Sequence, residues 1–188
     1  DICAKLEYTN PSGSLKDRVV NEIVNKAEQR GELKPGMILL EGTTGNTGIA
    51  TAMVGAAKGY RVIIVMPEGM SEERKKTIRA YGAELVLTPG AETDVDLVLE
   101  EVGRIKEKYG EQIFEIGQFV REENLLAHFD YTGPEIWEQT QGQLDVFIMN
   151  QGTGGTVTGT AKYLKKMNPD IKIYISEPAE SPILAYGK

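Results

Sequence analysis

The chain has 188 residues, 40% hydrophobic and 26% charged, with a net charge of −7. That length accommodates one large domain or two small ones, and the composition is that of an ordinary globular protein. An acidic balance without a basic cluster argues against nucleic acid or an anionic membrane as partner, and no apolar stretch reaches the length of a membrane span.

In chain order, short apolar runs alternate with helical patterns. Strands are predicted at residues 2–7, 37–41, 61–66, 84–88, 112–115, 145–149 and 172–177. Helices are predicted at residues 15–28, 46–58, 72–81, 93–108, 135–139 and 155–167. Val62-Ile63-Ile64-Val65 is apolar on both faces, as a covered parallel strand is. The alternation predicts an α/β fold with parallel twisted sheets, flanking helices and right-handed crossovers. Gly31, Gly59, Gly82 and Gly110 are placed to close helices, and Thr93 to cap one. A boundary is expected in the polar stretch 121–124, between an N-terminal domain of residues 1–120 and a second domain begun by residues 121–188.

The single cysteine, Cys3, cannot form an internal disulfide, and its apolar strand pattern predicts a buried small side chain. No signal-peptide pattern opens the chain, and a reducing cytoplasm fits. The first residue is Asp rather than Met.

Three glycine-rich loops precede helices. In the first, Asn10-Pro11-Ser12-Gly13-Ser14-Leu15-Lys16-Asp17-Arg18, a lysine stands at the mouth of a helix. The unpaired N–H groups and dipole there disfavour an ammonium and lower its pKa. Such a lysine is either a solvated side chain on an exposed first turn or a neutral amine able to attack an aldehyde. The second reading makes Lys16 a Schiff-base lysine for pyridoxal phosphate.

The second loop, Glu41-Gly42-Thr43-Thr44-Gly45-Asn46-Thr47-Gly48, offers hydroxyls and helix N-terminal amides suited to a small anion such as a carboxylate. The third, Gly152-Thr153-Gly154-Gly155-Thr156, has the position and composition of a phosphate cradle. It is not a Walker loop, because no Gly-Lys-Ser/Thr follows. A dinucleotide fingerprint is a rival, with Glu177 as its acid, but Val157 stands where the third glycine belongs.

The segments NPSGSLKDR, EGTTGNTG and GTGGT, in this order, resemble those of the cysteine synthase and cystathionine β-synthase family. Met66-Pro67-Glu68, Ser71-Glu72-Glu73-Arg74-Lys75, Gly82-Ala83-Glu84, Gln118-Phe119 and Thr132-Gly133-Pro134-Glu135-Ile136-Trp137 extend the resemblance through nearly the whole chain. It implies a tryptophan synthase β-like fold with pyridoxal 5′-phosphate as cofactor, bound by Lys16, Asn46 and Gly152, Thr153, Gly154, Gly155 and Thr156. Asn46 is expected on the 3′ oxygen of the cofactor. Thr43, Thr44, Thr47 and Gln118 are expected to hold the α-carboxylate of the amino-acid substrate, and Lys16 to be the catalytic residue.

The implied reaction is β-replacement on O-acetylserine with sulfide, giving cysteine. Alternatives are cystathionine β-synthase or O-phosphoserine sulfhydrylase activity, a non-catalytic scaffold, or an NAD-binding oxidoreductase. The resemblance favours a homodimer of the full-length protein. Family members extend past both ends of this chain, so a fragment with an incomplete second domain is expected. The group that meets the pyridine nitrogen then lies outside it, and the open sheet edge predicts poor stability alone.

Other features are read more plainly. His128, the one histidine, suits packing or surface, and one histidine with one cysteine makes no metal constellation. Trp137 reads as core. Glu72-Glu73-Arg74-Lys75-Lys76 reads as a solvated helix face. Asn150-Gln151 stands before Gly152 where the family usually has a smaller residue, which leaves the phosphate pose there open.

Overall fold

The computed structural model describes residues 1–187. They fall into two compact units, the first Asp1–Gln118 and the second beginning at Phe119.

The first unit is built on a four-stranded sheet. After a 3-10 turn at Glu7–Thr9 come α1 (Lys16–Arg30), β1 (Ile38–Gly42), α2 (Asn46–Lys58), β2 (Arg61–Pro67) and α3 (Glu72–Ala80). Then follow β3 (Glu84–Thr88), α4 (Val95–Tyr109) and β4 (Ile113–Glu115). The strands lie in the order β3-β2-β1-β4, and every neighbouring pair is parallel. Leu40 of β1 aligns with Ile63 of β2 and Glu115 of β4.

Alternation along β1 sorts the core into two layers. Leu39 faces Val19, Ile23 and Val24 of α1, with Ala50 and Val54 of α2. Ile38 and Leu40 face Val98, Val102 and Ile105 of α4. Burying each such aliphatic side chain contributes about 1.5–3 kcal/mol before chain entropy is counted. Helices on both faces explain why β2 reads as an unbroken apolar run.

Helices α1, α2 and α4 end at Gly31, Gly59 and Gly110, and Gly82 follows the end of α3, all four at positive φ. Without a Cβ these residues turn the chain where others would strain. Asp94 rather than Thr93 precedes α4, and its carboxylate accepts the Ala91 N–H at 2.7 Å. The strand expected at residues 2–7 does not form. No described strand pairs with it, Ile2 is fully exposed, and Cys3 is exposed rather than buried.

The second unit contains α5 (Glu123–Ala127), a wide helical turn at His128–Thr132, α6 (Gly133–Gln139), β5 (Val146–Asn150), α7 (Gly155–Met167), β6 (Lys172–Ser176) and α8 (Ile183–Tyr186). β5 and β6 pair in parallel, with Ile148 opposite Tyr174. Val146, Ile148, Tyr174 and Ile175 of this two-stranded sheet are exposed. Helix α5 and the turn after it were not legible as helix, since the polar run 121–124 resembles a linker. Leu164 and Val157 of α7 are buried, and Phe129 meets Tyr163 edge to face at 5.8 Å. Trp137 is half-buried and lies over Gly142 rather than at the centre of a core. Among the described residues no helix is long and apolar enough to cross a membrane.

Candidate active site

The lysine loop is fixed by its own polar side chains. Asp17 accepts the Ser12 N–H at 2.8 Å and the Ser12 hydroxyl on its other oxygen. Asn10 Nδ2 donates to the Ser14 carbonyl at 3.1 Å, and Gly13 takes a φ of 85°. Arg18 forks onto Glu7 with bonds of 2.8 and 2.9 Å, a planar bidentate pair that ties the helix to the turn before it. Lys16 is the first residue of α1, and its N–H donates to Ser14 Oγ at 3.2 Å. Its side chain is half-buried, and burial holds its pKa below the usual lysine value. The direction is the one expected, and desolvation by burial is its cause.

The threonine loop joins β1 to α2 at the carboxyl edge of the sheet, where open α/β sheets bind ligands. Thr43 and Thr47 are buried, Thr44 is half-buried and Asn46 is exposed at the start of α2. The Thr43 N–H donates to the Val65 carbonyl at 2.9 Å, and Thr43 Oγ1 accepts the Gly45 N–H at 3.2 Å. A Cβ at Gly48 would stand 2.7 Å from the Thr43 methyl and 3.1 Å from Ile64, so glycine lets α2 seat on the loop. Gln118 follows β4, the neighbour of β1, and the Thr47 hydroxyl donates to Gln118 Oε1 at 2.8 Å. Thr47 and Gln118, 71 positions apart, are thereby brought together.

Two residues outside the expected set support this loop. Arg74 Nη1 donates to the Thr44 carbonyl at 3.2 Å. Glu41, 3% exposed, accepts the Gly117 N–H at 3.0 Å. The run 72–76 is therefore not wholly a solvated face. Besides Arg74, Lys75 is buried and donates to the Glu68 carbonyl at 2.5 Å and to Glu72 at 2.7 Å. Glu72 is an i,i+3 neighbour within α3, but the Glu68 carbonyl comes from the loop before α3, which helical spacing does not reveal. Glu41 carried a signal in the sequence: a carboxylate closing an apolar strand needs partners.

In the second unit, residues 152–156 join β5 to α7. Gly154 adopts the left-handed conformation, with φ 84°, and no atom lies within 4 Å of a Cβ built on Gly152 or Gly154. Thr153 Oγ1 accepts from Asn124 Nδ2 at 2.9 Å and from the Gly155 N–H at 3.4 Å. Thr156 Oγ1 lies 3.1 Å from His128 Nε2, and His128 Nδ1 lies 2.9 Å from Thr132 Oγ1. His128 is fully buried, so it packs, and it also links two hydroxyls. Asn124 and His128 become loop supports only through the fold of α5 and its following turn. Gln151 is exposed, as is Asn150 at the end of β5. Glu177, the acid of the dinucleotide alternative, is taken up by the Leu184 and Ala185 N–H groups at 2.7 and 3.1 Å.

The donor set suits a phosphate monoester: open glycines, hydroxyls and the N-terminus of a thirteen-residue helix. With a lysine of lowered pKa in the first unit, the residues present fit pyridoxal phosphate. Each half of the set is built within its own unit.

A family model described as "Pyridoxal-phosphate dependent enzyme" matches residues 1–188. The chain is 47% identical over 189 aligned residues to a cysteine synthase of Staphylococcus aureus, covering all of this chain and 60% of that protein. Among solved structures, a hydrogen sulfide-producing enzyme from Fusobacterium nucleatum superimposes with a TM-score of 0.93 at 42% identity. The match covers 97% of this chain and 59% of that one. A cysteine synthase from Entamoeba histolytica gives a TM-score of 0.91 at 46% identity, covering 97% and 53%. This chain thus spans about 60% of the length of the curated relatives it matches.

Proposed function

This chain belongs to the pyridoxal-phosphate dependent enzymes, and we propose that the complete protein makes cysteine by β-replacement on O-acetylserine with sulfide. The observation that carries the reading is 47% identity across the whole chain to a protein named cysteine synthase. Resemblance to an O-acetylserine sulfhydrylase of Entamoeba histolytica, at 42% identity, supports the leaving group.

In this reading residues 1–120 carry the lysine and the carboxylate loop, and residues 121–188 begin the domain with the phosphate loop. Lys16 would hold the cofactor through Nζ, Asn46 would meet its 3′ oxygen, and Gly152, Thr153, Gly154, Gly155 and Thr156 would hold its phosphate. When bound, the cofactor supplies a conjugated ring that takes up negative charge from the substrate α-carbon.

Thr43, Thr44, Thr47 and Gln118 grip the substrate carboxylate and orient the α-C–H toward Lys16. The Lys16 amine, whose pKa burial lowers, takes the α-proton and returns it to the product. A loop of several donors holds the carboxylate through both proton transfers without one strong charge to release. Family resemblance also supports a homodimer acting in the cytoplasm, and sedimentation of the full-length protein tests the dimer.

The deciding experiment is cysteine formation by the complete protein from sulfide and either O-acetylserine or O-phosphoserine. A parallel assay with homocysteine in place of sulfide tests cystathionine synthesis. Turnover favouring O-acetylserine and sulfide, lost in Lys16→Ala, is expected. Turnover retained in Lys16→Ala would sink the assignment of the lysine. A pyridoxyl adduct confined to Lys16 after borohydride reduction and peptide mapping tests the cofactor site independently of activity.

A further inference from the structure

Glu41 is a carboxyl side chain on an otherwise apolar strand, and it is 3% exposed. It shares a face of β1 with Leu39, toward α1 and α2, while Ile38 and Leu40 face α4. Burial of such a group is costly unless it is hydrogen-bonded, so its partners define what it does. The Gly117 N–H donates to Oε2 at 3.0 Å, and Gln118 Nε2 donates to Oε1 at 3.5 Å. Gln118 Oε1 in turn accepts the Thr47 hydroxyl at 2.8 Å. Three side chains form a buried line that ends on a hydroxyl of the threonine loop.

That line has two directions. An ionised Glu41 only accepts, so Gln118 turns its NH2 to Glu41 and its oxygen to Thr47, whose single hydroxyl proton is then used. This is the direction in the structure. A protonated Glu41 donates to the Gln118 oxygen once the amide flips. Gln118 Nε2 then donates to Thr47 Oγ1, and the Thr47 proton is released to point at an anion.

We propose that Glu41 is a positioning residue for the carboxylate-binding loop. The proton it takes from solvent sets the direction of the Glu41–Gln118–Thr47 line and decides whether Thr47 donates toward a bound carboxylate. The inference rests on the carboxylate reading of this loop given above.

The surroundings favour the donating direction at neutral pH. Burial, opposed by the Gly117 N–H and helped by the charge of Glu115 on β4, raises the Glu41 carboxyl to about 8. Glu115 is itself paired with Lys106 of α4 at 2.5 Å. The one charged residue of α2, Lys58, sits at its far end on Glu28 at 2.7 Å. The one charged residue of β2, Arg61, opens that strand and pairs with Glu84 of β3 at 2.8 Å. On α3, Arg74 is held by the Thr44 carbonyl. The α4 side chains packed against β1 are Val98, Val102 and Ile105.

The test is propionate binding to the complete, cofactor-loaded protein at pH 7 and pH 9. Propionate has a carboxylate ionised throughout this range and no amine to titrate. The expected result is an affinity up to about tenfold lower at pH 9, because the protonated share of a group titrating at about 8 falls about tenfold between the two values. Glu41→Gln, whose amide donates permanently to Gln118, should keep most of the pH 7 affinity at both values. Equal pH dependence in the two proteins, with binding weakened by Thr47→Val, overturns the role of Glu41 and leaves the carboxylate loop standing. Binding unaffected by Thr47→Val overturns both.

Discussion

In Glu41→Gln the buried carboxyl of β1 gives way to an amide of the same shape that has no proton equilibrium. In the folded protein Glu41 titrates at about 8, chiefly through burial, against an ordinary value of 4.5. An acid raised on folding binds more protons folded than unfolded between those limits. Its stabilising contribution is therefore fully present below about 4.5 and is lost as pH rises toward about 8. At roughly 1.4 kcal/mol per pH unit, the loss reaches about 5 kcal/mol at pH 8 and above, and about 3 kcal/mol at pH 7. In a 188-residue chain, 5 kcal/mol is about 10 °C or more in melting midpoint.

Scanning calorimetry of wild type and Glu41→Gln at pH 5 and pH 8.5 reads this directly, because every other titration is common to both. The wild-type midpoint should fall relative to the variant between the two conditions. A difference between the proteins that is the same at both pH values would refute an ionisable Glu41 buried beneath the loop.

Gly155→Ala places a methyl group on the Asn124 side chain and displaces its bond to Thr153. The expected cost is about 1–3 kcal/mol in chemical denaturation, with weakened cofactor retention read from visible absorbance. His128→Leu leaves the hydroxyls of Thr132 and Thr156 without their shared partner. It should lower stability by about 1–3 kcal/mol in urea titration and loosen the phosphate loop, read as faster amide exchange. Arg18→Ala should cost about 1 kcal/mol at neutral pH. Burial works against ionisation of Glu7, but hydrogen bonds from Arg18 and Asn10 outweigh it and hold its carboxyl below 4.5. The wild-type advantage is thus present above about 4.5 and fades as pH falls, which paired melts at pH 3 and pH 7 check.

The amino-acid sequence by itself determined what is local. Apolar runs between glycines place β2 and β3, and helical periodicity gives α2 its bounds Asn46–Lys58, with Gly59 as the stop, and α7 its bounds Gly155–Met167, before Asn168-Pro169. The glycine and threonine loops stand beside their helices in the chain, so a lysine at a helix mouth and a phosphate-like cradle were legible from order alone.

The tertiary structure decided what depends on partners distant in the chain. Residues 2–7 have strand-like composition but no described strand to pair with, so 2–6 stay irregular and Glu7 joins a 3-10 turn. Lys75 and Arg74 look solvated on a helix, yet the turns beside α3 and β1 supply their acceptors. Adjacency of β1 and β4 sets Gln118 and Gly117 beside Glu41, although the residues stand 77 and 76 positions apart. Burial lowers the pKa of Lys16 and raises that of Glu41. Desolvation belongs to the packed fold, and no pattern of neighbours in the sequence carries it.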